Sequence, residues 1–146
     1  MQQIRRVFHD QLDYCEEMNI HGARGALFKF KLPKFGYTVT AKATGVECVN
    51  DLLYESKIYS RLLPMQGKGV PVYLGYIKVD SLLFYAGAVH IVHIVHMIFL
   101  SFDGFPIRAP IPANLADEAI RILQAIHQLG VLQKDSAARN ILFYPD

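Results

Sequence analysis

Several residue groups in this sequence have types and spacings that suit chemistry. The first is Lys42 with Glu55. Lys42 lies in GYTVTAKAT, residues 36–44, whose β-branched residues predict a strand. Its alternation puts Tyr37, Val39 and Ala41 on one face and Thr38, Thr40 and Lys42 on the other. By itself such a residue reads as a solvated edge-strand lysine. Glu55 lies in residues 50–63, a predicted helix capped by Asn50 or Asp51. Leu52, Tyr59, Leu62 and Leu63 form its apolar face, with Ile58 near the edge, and Glu55 projects from within that face. An inward carboxylate calls for a cationic partner, and Lys42 is the candidate.

The second group is Gly22 and Gly25, ahead of the alternating segment 27–32. The simple reading is a turn followed by a strand. The functional one is a phosphate loop, where glycine lets backbone N–H groups approach phosphate oxygens. The third is HQLGVLQKDSAARNIL, residues 127–142, where a helix stops at Gly130 and Asp135 stands five residues before Asn140. The fourth is His90, His93 and His96. On a helix these would share a face and could ligate zinc; on a strand, the preferred reading, His93 points away and the cluster fails.

The elements that must position these residues follow from periodicity and punctuation. Ile4, Val7, Phe8 and Leu12 give residues 1–18 a near-helical amphipathic pattern. Residues 33–36 form a turn, 64–69 a loop and 70–79 a strand, with a further turn near Asp80. Residues 82–102 hold no Lys, Arg, Asp or Glu and are long enough to span a bilayer. The histidines and glycines inside the run favour two adjacent buried strands. Pro106, Pro110 and Pro112 argue against regular structure in residues 101–112, which read as a connector. A last helix opens at Asn114, with Asp117 completing a capping-box-like pair, and Leu115, Ala119, Ile122, Ile126 and Leu129 on its buried stripe.

Composition limits the functional classes. With 146 residues, 52% hydrophobic and 19% charged, the chain can bury a core, and disorder is excluded. A net charge of +2 makes no case for nucleic acid or an anionic membrane as partner. Cys15 and Cys48 suggest no disulfide framework, and the first ten residues lack a secretory apolar run, so an intracellular, cytoplasmic chain is expected.

Taken in order, these residues resemble the protein-kinase signature, and the chain is similar to the short kinase-like proteins common in fungi. Gly22 and Gly25 look like the second and third glycines of the family's phosphate loop, with Ile20 at the first position and Leu27 where valine is usual. Lys42 resembles the lysine that pairs the α- and β-phosphates, and Glu55 the helix glutamate that salt-bridges it. Thr40 stands where alanine is preferred beneath the adenine, and residues 99–103 would be the hinge. Gln133, Lys134 and Asp135 replace His-Arg-Asp. Asp135 keeps the base role, Arg139 matches the tyrosine-kinase-like arginine near the acceptor, and Asn140 matches the metal-binding asparagine.

The resemblance covers residues 20–142 and about the first half of a kinase domain; an Asp-Phe-Gly segment does not follow Asn140. It implies an α+β fold: residues 1–103 as an antiparallel-sheet N-lobe with one key helix and the hinge, and residues 104–146 as the start of a helical C-lobe. It implies ATP and Mg²⁺ as cofactors and phosphoryl transfer to a protein hydroxyl, impaired in this chain without the second metal-binding Asp. The alternatives are a pseudokinase-like module that binds a protein partner and a small-molecule phosphotransferase-like domain, whose loops also place Asn five residues after Asp.

Overall fold

The computed structural model describes residues 15–22, 25–86, 91–107 and 110–144. The chain is α+β and divides into two compact units. The first takes in the described residues up to Lys57 together with Val72–Phe102; the second holds Ile58–Pro71 and the described residues from Asp103 onward. Residues 58–71 thus cluster with the second unit rather than with the rest of 1–103.

The first unit is built on β1 (Cys15–Gly22), β2 (Gly25–Leu32), β3 (Tyr37–Thr44), the start of helix α1 (Val49–Arg61), β4 (Tyr73–Ala86) and β5 (Ile91–Ser101). The five strands form one sheet in the order β1-β2-β3-β5-β4, and every pairing is antiparallel. The turn between β2 and β3 is a 3₁₀ segment, Pro33–Phe35, closed by Gly36 at φ +66°. That left-handed conformation carries little penalty for glycine alone.

Alternation decides the two faces of the sheet. Phe30, Val39, Ala41, Ala43, Ile77, Met97 and Phe99 pack in one buried cluster, and the Phe30 and Phe99 rings lie 6.0 Å apart. Complete burial of a side chain such as Phe99 contributes roughly 1.5–3 kcal/mol. The opposite face carries Lys42, in register with Leu27 and Ile98.

Two expectations change here. Ile4, Val7, Phe8 and Leu12 lie outside the described residues, but from Cys15 onward the chain is strand β1, not an amphipathic lead-in. Its two acidic residues hid it: Glu16 pairs with lysines of β2, a cross-strand attraction invisible to hydrophobic periodicity. Next, no turn interrupts the chain at Asp80. Between the pairs Lys78↔His96 and Leu83↔Ile94, β4 advances five residues against two on β5, so it bulges and continues. The preferred strand reading of the apolar run stands where the chain is described: residues 82–86 end β4 and 91–101 are β5, buried at Ile94 and from Met97 to Leu100, and no described helix is long and apolar enough to cross a membrane.

The second unit contains the end of α1, β6 (Phe105–Pro106), α2 (Ala113–Gln128) and β7 (Leu142–Phe143). Leu62, Ile126 and Val131 are its buried centre, with Ile58, Met65, Val70, Ile122 and Leu129 packed around them. Helix α1 ends before Leu63, which is largely exposed instead of completing the apolar face. Pro64 disfavours helical geometry in the residue before it. Helix α2 starts at Ala113 with Pro112 at the cap and no side-chain cap bond, so Asn114 and Asp117 form no capping box. The proline-rich connector also holds a short ladder. Phe105 and Pro106 pair with Phe143 and Leu142, and the Ile107 amide donates to the Ile141 carbonyl at 2.8 Å.

Candidate functional site

Each unit carries its own constellation. In the first, Lys42 stands on β3, the central strand of five, so the edge-strand reading of this lysine fails. Its Nζ forms an ion pair with Glu55 Oε2. The side chains are 37% and 29% exposed, leaving the pair sheltered yet within reach of a ligand. Leu52, one helical turn before Glu55, is buried and fixes the rotation of α1. Ser56 adds a second fastening, its Oγ 2.7 Å from the Tyr73 hydroxyl of β4. Packing and two polar contacts thus hold one helix face against the Lys42 side of the sheet.

Gly22 and Gly25 pair across the end of the β1–β2 hairpin, and the two residues between them lie outside the described chain. Thr40 is half-buried on the same face as Lys42. The hinge expectation for residues 99–103 meets a limit. Phe99 is buried on the opposite face, and the Ser101 amide donates to the Val72 carbonyl at 2.9 Å. Residues 99–101 therefore belong to the sheet ladder, and Phe102 and Asp103 lie beyond it.

The second constellation hangs from the end of α2. Gly130, at φ +74°, lets the chain reverse there. Its amide donates to His127 O at 2.8 Å, and the Val131 amide donates to Ile126 O at 3.3 Å. These are the two bonds of a Schellman motif, completed by the apolar contact of Val131 with Ile126. Arg61 Nε donates to the Leu129 carbonyl at 2.7 Å, satisfying another helix-end acceptor. The loop that follows leaves a fixed point.

Within that loop Asp135 organises its neighbours. Its Oδ1 accepts from the Ala137 amide at 3.3 Å, and its Oδ2 accepts from Arg139 Nη2 at 2.6 Å. Asn140 Nδ2 donates to the Asp135 carbonyl at 2.9 Å, closing the five-residue interval. The Ala137 amide, then Asn140 and the charge of Arg139, hold the Asp135 carboxyl below its ordinary value. Asp135 is therefore ionised at neutral pH. Such a carboxylate orients a hydroxyl well and abstracts its proton weakly, because a base is most effective near the operating pH. A carboxylate has about four acceptor sites, so it can take a further donor beside Ala137 and Arg139. The β6–β7 ladder fixes the loop's exit.

The structure thus brings Lys42 to Glu55, and Asp135 to Arg139 and Asn140. The histidine cluster does not assemble on a helix. His90 lies outside the described residues, His93 and His96 fall on strand β5, and His96 Nδ1 is engaged by the Tyr76 hydroxyl. Among the described residues no group of three His, Cys, Asp or Glu converges to hold a metal ion. Sequence reasoning missed Lys29 and Lys31, which share the face of Lys42. The alternating FKFKL of β2 was the available signal.

No protein-family model matches this chain. Among curated proteins it is similar to the meiotic driver SPOK2 of Podospora anserina, 32% identical over 136 residues. That match covers 88% of this chain and 16% of the driver, so the chain spans about one sixth of the length of the curated relative.

Proposed function

We propose that this chain is a protein-kinase-like nucleotide-binding module, with the β1–β5 sheet and α1 as an N-lobe and the second unit as the start of a helical C-lobe. The observation that carries the reading is the Lys42–Glu55 ion pair. The strand phase of one residue and the helix phase of the other are independent features of the sequence, and they meet in one contact. In this reading Lys42, held by Glu55, orients the phosphates of ATP, and the hairpin end at Gly22 and Gly25 lies over them. Asp135 orients an acceptor hydroxyl, Arg139 holds Asp135, and Asn140 offers its amide oxygen.

Magnesium fits this chain only poorly as an ion held by protein side chains. It is usually bound through one or two carboxylates plus substrate phosphates, whereas Asp135 is already paired with Arg139 and belongs to no described group of three or more possible ligands. Nucleotide binding with little or no turnover is therefore the expected behaviour of this chain by itself. The similarity to a segment of a meiotic driver supports reading the matched region as one module of such a protein.

The test is thermal shift with ATP on the wild type and on Lys42→Ala. A ligand that binds only the folded state raises its stability by mass action, so weak binding is visible at high nucleotide. The expected result is a shift in the wild type that Lys42→Ala loses. No shift at millimolar ATP would refute nucleotide binding.

A second reading, an interaction module, is favoured by the exposure of large apolar side chains in the second unit. Leu132 is 70% exposed and Ile120 on α2 is 52% exposed, and Phe143 and Tyr144 are exposed as well. Size-exclusion over a concentration series tests it, and a strictly monomeric chain at every concentration argues against self-association through this surface.

A further inference from the structure

The Lys42 face of the first unit continues beyond α1 as a strip on β2 and β3. Leu27, Lys29 and Lys31 stand opposite Lys42, Thr40 and Thr38 respectively. Helix α1 is fastened at Lys42 and at Tyr73 of β4, while Leu27, Lys29, Thr38 and Thr40 remain half-exposed and Lys31 is exposed. We propose that this strip binds a polyphosphate and reads the phosphates of its ligand but not the base. The proposal rests on the nucleotide-binding reading and narrows it.

The chemistry of the strip carries the argument. A nucleobase is recognised by a flat apolar contact and by hydrogen bonds to its edge, whereas phosphate is recognised by cations and hydroxyl donors. Leu27 is the single apolar residue among these six; the others are three amines and two hydroxyls. Phe102, which could have offered a ring to a base, instead has Lys29 Nζ over it, 4.6 Å from the ring centre. Lys29 and Lys42 are diagonal cross-strand neighbours, roughly 7–8 Å apart at the backbone. Two long, flexible amines at that spacing can converge on neighbouring phosphate groups.

Charge points the same way. Within the strip, Lys29, Lys31 and Lys42 meet the carboxylates of Glu16 and Glu55, three positive charges paired against two negative. Glu16 reaches Lys31 at 2.8 Å and Lys29 at 4.0 Å. It occupies the position that a ligand phosphate would take and therefore competes with it. Removing Glu16 should strengthen binding, a gain of function that generic loss of structure cannot imitate.

Isothermal titration of the whole chain in magnesium-free, low-salt buffer tests the proposal, with ATP, GTP, inorganic tripolyphosphate and adenosine as probes. The expected result is that ATP, GTP and tripolyphosphate bind within a few-fold of one another and adenosine does not bind. Lys29→Met should weaken tripolyphosphate binding at least about threefold, and Glu16→Gln should strengthen it about two- to fivefold, the scale of an exposed ion pair. Binding of ATP with no binding of tripolyphosphate would overturn the inference and leave nucleotide binding standing. Unchanged affinity in both variants would place the phosphates elsewhere and also overturn it. Absence of binding by all four probes would refute the nucleotide-binding reading itself.

Discussion

Replacing Gly104 by alanine should damage the strap that holds the exit of the Asp135 loop. Gly104 adopts φ +93°, which L-residues with a side chain rarely take. An added Cβ would lie 2.1 Å from the carbonyl oxygen of Phe143 and 2.5 Å from its carbonyl carbon. Both are backbone atoms of β7, so a rotamer change cannot relieve the clash. Backbone strain costs roughly 1–2 kcal/mol. Pushing β7 away also loosens the Phe105–Phe143 pairing and the 2.8 Å bond from the Ile107 amide to Ile141, each worth about 0.5–1.5 kcal/mol. The sum is about 2–5 kcal/mol, against about 1–2 kcal/mol for Gly36→Ala, where φ is +66° but nothing lies within 4 Å of the added carbon. Urea denaturation compares the two variants, with a slope of about 1–3 kcal/mol per molar setting the scale. Hydrogen exchange at the Ile107 amide localises the effect. If Gly104→Ala unfolds no earlier than Gly36→Ala, and the Ile107 amide stays protected, the steric reasoning is wrong.

Lys42→Met should destabilise the first unit by about 1–2 kcal/mol, because it leaves Glu55 half-buried without its cation, and Lys42→Met/Glu55→Met should recover most of that loss in a double-mutant cycle. Burial, and then the charge of Lys78, hold the His96 imidazole below its ordinary 6.5. The unfolded chain therefore takes up that proton first. Stability should fall as pH drops below about 6.5 and level off below the folded value, and His96→Phe should flatten the pH dependence in that window, read by denaturant midpoints. For Asp135 the folded carboxyl titrates below 3.8, so its stabilising contacts are complete above that pH and are lost as pH falls through the folded value. Carboxyl NMR should show Asp135 titrating below 3.8, and Arg139→Met should raise its midpoint without restoring the ordinary value, because the Ala137 amide remains.

Local rules, acting over a few residues, fixed much of this protein. The alternation in 36–44 put Lys42 opposite Val39 and Ala41, and the helical phase of 50–63 turned Glu55 inward; both stand in the structure. Gly130 stopped a helix and Pro33 made a turn, because φ restrictions belong to single residues. The interval from Asp135 to Asn140 was legible, since its bonds close within five residues. Other features depended on residues distant in sequence. Strand β1 forms by pairing with β2, where Glu16 meets Lys29 and Lys31, thirteen and fifteen positions away, and no periodicity announces such a pairing. The bulge in β4 depends on its register with β5, where the pattern predicted a turn. The central place of β3, which takes Lys42 from edge to interior, is a property of strand order. Leu63 faces outward because helix and proline compete at that point. Sequence specified which residues could do chemistry, and tertiary pairing decided which of them stand together, because register and strand order arise from contacts that no local window contains.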